Sequence, residues 1–142
     1  MARSSSLQLH ATTVALEGQA VVITGESGSG KSSLGLQLMA LGAGLVADDR
    51  TILELFGGGL VATVPPAGRG LIEARGVGIL RATPVAEARV ALAVDLDRRE
   101  TARLPPSRSV TWLGVDIPLI FGAKAPHFAP AVFQYLKAGR RA

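Results

Sequence analysis

Apolar residues in this chain gather in short runs of strand length, punctuated by glycine, proline and charged clusters, and two stretches replace that rhythm with helical spacing. Ser4 to Leu16 alternates loosely between polar and apolar side chains, with Leu7, Leu9, Val14 and Leu16 among the latter, and predicts an edge or early strand. Glu17-Gly18 turns the chain. Gln19 to Thr24 (QAVVIT) is a β-branched run too short for a buried helix, so it predicts a central strand. Between Lys31 and Leu41, Leu34, Leu38 and Leu41 fall three and four apart on one helical face, and Gly42 stands where a C-terminal cap belongs. Gly44 to Asp49 (GLVADD) predicts a second buried strand.

Thr51 to Phe56 and Leu60 to Val64 read as strands of a hairpin around Gly57-Gly58-Gly59, ended by Pro65-Pro66. Ala67 to Leu80 has glycines among charged residues, which suits a loop passing close to a ligand. Val90 to Leu96 predicts a strand, the polar, basic stretch Asp97 to Arg108 a loop, and Trp112 to Ile120 one more strand. Pro130 to Ala138 (PAVFQYLKA) reads as a short helix with proline at its start. No internal repeat is visible.

Composition narrows the class. At 142 residues with 48% hydrophobic and 18% charged side chains, the chain is sized for one globular domain spanning 1–142. Its six aromatics (four Phe, one Trp, one Tyr) are too few for a stacking platform, so nucleic acid is not expected as a partner despite a net charge of +4. With no cysteine, any metal must be a hard cation on oxygen ligands. No apolar run reaches the ~18 residues a membrane helix needs, so the expectation is a soluble, cytoplasmic protein without a membrane partner.

Chemistry enters at Gly25-Glu26-Ser27-Gly28-Ser29-Gly30-Lys31-Ser32, which satisfies G-x-x-x-x-G-K-[ST] between a strand pattern and a helix pattern. The glycines let backbone N–H groups turn inward around phosphate oxygens, and the helix start aims its positive dipole end at the same charge. Lys31 is placed to neutralise the transferable phosphoryl group, and the Ser32 hydroxyl to reach magnesium.

Phosphoryl transfer also needs a carboxylate near the metal or the attacking oxygen. Asp48-Asp49 ends the strand after the helix, while Asp95 and Asp97 follow a later strand, and composition does not choose between them. The adjacent pair is preferred because one member can serve the metal while its neighbour takes a proton from a hydroxyl acceptor. Glu73-Ala74-Arg75 adds a carboxylate and a guanidinium two apart, sharing a face if extended, with Glu73 towards metal and Arg75 towards phosphate.

In order and spacing, ITGESGSGKSS, GLVADDR and IEARGVGIL resemble the catalytic domain of the bacterial HPr kinase/phosphorylase family, over roughly Leu9 to Leu80. The resemblance implies a short form holding the C-terminal catalytic domain only. It also implies an α/β fold: a P-loop-containing kinase similar to phosphoenolpyruvate carboxykinase, with a central mixed sheet and flanking helices. The implied activity is that of an ATP-dependent serine kinase, acting with Mg2+ on HPr, the small phosphocarrier of the sugar phosphotransferase system, with phosphorolytic removal of the phosphate as a further activity. Carried onto this sequence, Gly25 to Ser33 bind the nucleotide and Lys31 is the phosphate ligand. Ser32 and Glu73 hold magnesium, and Asp48 or Asp49, with Asp49 preferred, deprotonates the acceptor serine. His10 falls at the family's histidine before the P-loop strand, and Arg75 lies in its E-x-R-G-x-G-I signature.

The chain departs from the family after Ile79, where Leu80-Arg81-Ala82-Thr83-Pro84 replaces an N-L-F-G-A-G-like continuation, and Arg103 and Arg108 match a late catalytic arginine only by position. Kinase activity is therefore expected ahead of phosphorolysis. The family's habit of forming hexamers implies a homo-oligomer. Two other functions remain open at this level: a small-molecule P-loop kinase, and a nucleotide-binding regulatory module without catalysis.

Overall fold

The computed structural model describes residues 5–142, so the Ser4 start expected for the first strand lies outside the described residues. In chain order the strands are β1 (Ser6–Leu16), β2 (Gln19–Thr24), β3 (Gly44–Ala47), β4 (Arg50–Phe56), β5 (Gly59–Thr63), β6 (Leu71–Ala74), β7 (Gly78–Arg81), β8 (Ala88–Arg99), β9 (Ser109–Trp112) and β10 (Val115–Gly122). Helix α1 (Lys31–Ala40) lies between β2 and β3, and α2 (Phe128–Ala138) ends the chain.

The main sheet is mixed: β2–β8 and β8–β10 are parallel pairs and the rest are antiparallel. The path β2–β1–β4–β5–β8 returns to β2, so these strands form a ring. Consequently β1 is an inner strand, not an edge. It bonds β2 along one side, and β4 and then β3 along the other. The alternation that suggested an edge is real only up to His10; Ala11 to Ala15 are all buried, and the two polar members survive there by hydrogen bonding. Thr13 Oγ1 lies 2.9 Å from Thr51 Oγ1, Thr51 Oγ1 donates to the Ala11 carbonyl, and Thr12 Oγ1 donates to Asp48.

Two apolar layers follow from the two faces of the strands. Along β2, Ala20 and Val22 face one layer with Leu53, Leu60 and Ala62, while Val21 and Ile23 face the other with Leu34 and Leu38 of α1 and Val132 and Leu136 of α2. Strict alternation in β8 would put Val90, Leu92 and Val94 on one side. The register instead slips between Ala20↔Val90 and Val21↔Leu92, so Val90 joins the first layer and Leu92 and Val94 the second.

Helix α1 is seated by what it lacks. A Cβ on Gly35 would come within 2.9 Å of Thr12 Cγ2, so the glycine lets the helix approach β1. The helix ends as expected at Gly42 (φ 126°), whose N–H donates to Met39 O while Ala43 N–H donates to Leu38 O, the paired bonds of a Schellman motif. Leu34 and Leu38 are buried, but Leu41 is 44% exposed at the cap and leaves the expected apolar face.

Other boundaries moved for local reasons. The β4–β5 hairpin turns as expected on Gly57-Gly58, both at positive φ (60° and 80°). The expected single strand Trp112 to Ile120 is the hairpin β9–β10, because Leu113 and Gly114 both adopt left-handed backbone (φ 52° and 78°). The segment expected to be a loop, Ala67 to Leu80, is mostly the hairpin β6–β7, after a short 3-10 turn at Pro66–Gly68, with Gly76 in the bend and Gly78 starting β7. Likewise β8 runs on to Arg99, into the stretch expected to be loop. Among the described residues no helix is long and apolar enough to cross a membrane.

Leu38 is fully buried where α1 meets the second layer. Leu38→Ala is expected to cost roughly 2–5 kcal/mol of folding stability, lowering the urea midpoint while the slope stays constant. A midpoint unchanged within error would contradict this packing.

Candidate active site

The loop after β2 is shaped by its glycines. Gly25, Gly28 and Gly30 sit at φ 151°, 84° and 102°, and a Cβ on Gly25 would stand 2.4 Å from Ser29 Oγ. Gly30 is the N-cap of α1; no side chain caps that helix and no acidic residue stands in its first turn, so its N–H groups remain for an anion. Lys31 is buried, and its ammonium donates to the carbonyls of Gly25 (2.8 Å) and Glu26 (3.0 Å), folded back over the loop where a phosphate would lie. Ser29 Oγ is buried without a hydrogen-bond partner.

Asp48 and Asp49 were expected to end a strand together, but β3 stops at Ala47 and the chain turns sharply between them. Arg50 N–H donates to Asp48 O (2.8 Å) around Asp49 at φ 71°, a three-residue turn that few non-glycine residues adopt. The two carboxylates therefore diverge. Asp48 Oδ1 accepts from Ser32 Oγ (2.7 Å) and Thr12 Oγ1 (2.8 Å), and its Oδ2 accepts from the Glu73 N–H (3.1 Å). Asp49 is exposed and lies 3.0 Å from His10 Nδ1.

These groups face one cleft of about 680 Å³. His10, Thr12, Lys31, Ser32, Asp48 and Asp49 line it, with Ser27, Gly28, Gly30 and Ser33 of the loop. Glu73 and Arg75 line it from the β6–β7 hairpin, although Arg75 is in the bend and not, as expected, in a strand beside Glu73. Of the loop residues named from the sequence, Gly25, Glu26 and Ser29 do not line this cleft; the first two offer their carbonyls to Lys31. Thr12 was not singled out in the sequence, yet it shares a strand face with His10, two residues away, and that spacing was the available signal.

The alternative carboxylates serve the loop from its other flank. Asp97 Oδ1 accepts the Glu26 N–H (2.9 Å), and Asp95 Oδ1 accepts the Asp97 N–H (2.9 Å). Neither lines the cleft. Arg103 and Arg108 do not line it either. Arg108 is held by bonds of 3.0–3.2 Å to Glu100 and lies 4.2 Å over the Phe121 ring. The Ala102 N–H, together with Arg108 and the Thr101 N–H, holds the Glu100 carboxyl below the usual carboxylate range, though burial opposes this.

The donor set fits a hard cation shared with phosphate. Ser32 and Asp48 present oxygens at the lip of the phosphate loop, and among the described residues no group of three His, Asp or Glu could hold a metal alone. Magnesium suits such a site, since it takes one or two protein oxygens and completes its shell from phosphates and water.

The model of the family described as the HPr Serine kinase C-terminal domain matches residues 2–101. Proteins named HPr kinase/phosphorylase from Burkholderia lata and Burkholderia cenocepacia are 38% identical to the chain, across 77% of it and 38% of their own length. The chain thus spans well under half of those relatives. Among solved structures, the HPr(Ser) kinase/phosphatase from Coxiella burnetii is similar with a TM-score of 0.75 and 26% identity, over 92% of this chain and 88% of that one.

Lys31→Ala removes the cation at the loop. Affinity for magnesium pyrophosphate, measured by calorimetry, is expected to fall by roughly tenfold or more, as the loss of a hydrogen bond to a charged group implies. Unchanged affinity would remove Lys31 from the site.

Proposed function

This chain belongs to the family of the HPr Serine kinase C-terminal domain, and on that premise we propose that it is an ATP-dependent protein-serine kinase that phosphorylates HPr, the phosphocarrier of the sugar phosphotransferase system. The observation that carries the reading is the parting of two adjacent carboxylates across the cleft, Asp48 to the Ser32 hydroxyl and Asp49 to His10. Since the chain spans 38% of the length of the curated relatives, their activity is proposed for it on the strength of that cleft.

In this reading the phosphates of ATP lie along Gly25 to Ser33, against the amides at the start of α1. Lys31 leaves the Gly25 and Glu26 carbonyls for the terminal phosphoryl oxygens, exchanging two neutral acceptors for charged ones. Ser32 and Asp48 would hold magnesium, with Glu73 facing them from the hairpin. Bound there, the ion would offset charge on the terminal phosphates. Asp49 accepts the proton of the attacking serine hydroxyl, and His10 orients that carboxylate from 3.0 Å away. A bond forms between the serine oxygen and the terminal phosphorus, the bond from that phosphorus to the bridging oxygen breaks, and ADP departs with the electron pair. Arg75, from the bend of the hairpin, supplies positive charge to the transferring group.

The relatives' names also carry a phosphorylase activity. We place it second, because Leu80 to Pro84 replace the continuation expected after the E-x-R-G-x-G-I signature, although the family match runs on to residue 101, and because Arg108 is engaged with Glu100. The same reading takes residues 1–142 as one catalytic domain of the P-loop kinase type similar to phosphoenolpyruvate carboxykinase, acting in the cytoplasm as a homo-oligomer, a hexamer by resemblance.

Incubation with ATP labelled in its terminal phosphate and purified HPr is expected to label one HPr serine. Asp49→Asn should reduce that transfer by roughly 10²–10⁴-fold, the range of a general base, with pyrophosphate affinity unchanged. Undiminished transfer would remove Asp49 as the base, and no label on HPr with the native chain would overturn the kinase reading.

A further inference from the structure

The phosphate loop holds one hydroxyl that the transfer described above does not use. Ser29 Oγ is buried without a hydrogen-bond partner, a condition that costs free energy in a folded chain. A turn puts it there. The Ser29 N–H donates to the Glu26 carbonyl (3.0 Å), with Gly28 at φ 84° inside the bend, so the chain comes back over Gly25. The hydroxyl oxygen then stands where a Gly25 side chain would begin, 2.4 Å from the Cβ position, and Leu96 Cβ lies 3.3 Å from that same position. A side chain on Gly25 would push the hydroxyl out. Ser29 does not line the cleft that faces Asp48 and Asp49, so in this arrangement its hydroxyl is not aimed at a phosphate.

A use for it emerges from what Lys31 leaves behind. The ammonium donates to the Gly25 carbonyl (2.8 Å) and the Glu26 carbonyl (3.0 Å), and in the proposed transfer it leaves both for phosphoryl oxygens. The Glu26 carbonyl keeps the Ser29 N–H, and Glu26 is exposed to water as well. The Gly25 carbonyl is placed differently: Gly25 is half-buried, and among the described residues Lys31 is its one donor. One acceptor is therefore orphaned at the step where one unpaired donor already stands beside it. Left unmatched, each would carry the penalty of a desolvated polar group.

We propose that Ser29 is a positioning residue for Lys31: its hydroxyl takes over the Gly25 carbonyl when the ammonium leaves for a phosphate. The inference rests on the phosphate-loop reading and adds to it the group that lets the lysine move. The Gly25 Cα lies at most one carbon–carbon bond beyond the 2.4 Å gap, so the carbonyl comes within reach on rotation of the Ser29 side chain between its staggered positions. In the free chain the carbonyl is bonded and the hydroxyl is not; in the bound chain both are. Phosphate binding is thus favoured by one bond formed and one orphan removed. Ser29 acts through Lys31 and touches neither the phosphates nor the acceptor.

Ser29→Ala in the full chain is expected to weaken magnesium pyrophosphate binding by roughly fivefold or more in calorimetry, while the urea midpoint of the ligand-free chain stays level or rises. A hydroxyl that merely supported the fold would lower that midpoint. With Lys31→Ala already in place, adding Ser29→Ala should change affinity by less than about twofold, because the carbonyl then has no lysine to lose. A spectroscopic readout follows from the sequence: Gly25-Glu26 is its only Gly-Glu pair, so carbonyl-13C glycine with 15N-glutamate gives a single carbonyl–amide correlation. On adding magnesium pyrophosphate, the Gly25 carbonyl should keep its downfield, hydrogen-bonded shift in the native chain and move upfield in Ser29→Ala. Native affinity in Ser29→Ala, a lowered midpoint, losses that add to those of Lys31→Ala, or a Gly25 shift that takes the same course in both chains would each overturn the inference. A native chain that binds no magnesium pyrophosphate would overturn the phosphate-loop reading instead.

Discussion

The carboxylate of Asp48 is where the architecture and the chemistry of this chain meet. It accepts hydrogen bonds from Thr12 on β1, Ser32 on α1 and the Glu73 backbone on β6, tying three separate elements to the end of β3. Bonds to an ionised acceptor are about twice as strong as neutral ones, so together they fix where the helix start, the inner strand and the hairpin stand relative to one another. Thr12 is fully buried, and without Asp48 its hydroxyl would lose this partner in the interior. The same residue sets the next one apart: the bond from Arg50 N–H to the Asp48 carbonyl holds the turn that sends Asp49 towards His10.

Around that anchor, the loop stores its binding capacity in groups that are already satisfied or already aimed. The ammonium of Lys31 is buried against two loop carbonyls, and in the proposed reading it would need only a change of partner to meet a phosphate. Uncapped amides at the start of α1 point at the same place. Asp97 restrains the loop by accepting the Glu26 N–H, so two carboxylates on opposite flanks hold its ends. In the proposed transfer, such preorganisation would spare the site much of the reorganisation that water would have to undergo as charge develops.

What the sequence made legible was local. The phosphate loop, β2, α1 with its Gly42 cap, and the diglycine hairpin each carry their signal within a few residues, and all appear near where the pattern put them. Long-range pairing did not show. The inner position of β1 depends on three partner strands, and its buried Thr12 and Thr13 look like solvent-facing residues until their partners at Asp48 and Thr51 are known. The slip in β8 near Ala91 reverses which face Val90 takes, and no alternation count detects one extra residue. At the site, residue types and spacing named His10, Lys31, Ser32, Asp48, Asp49, Glu73 and Arg75, which all line one cleft. The divergence of Asp48 and Asp49 was hidden, because it follows from a positive φ at Asp49 that composition does not announce.

In the proposed mechanism neighbouring carboxylates do different work, Asp48 with Ser32 at a divalent ion and Asp49 with His10 at a proton. Electron paramagnetic resonance of Mn2+ with ATP separates the two most directly, since it reads the ion and not the transfer. Asp48→Asn should lose most of the protein-bound Mn2+ signal, whereas Asp49→Asn should keep it. Equal signals from the two variants, or loss only with Asp49→Asn, would contradict the division.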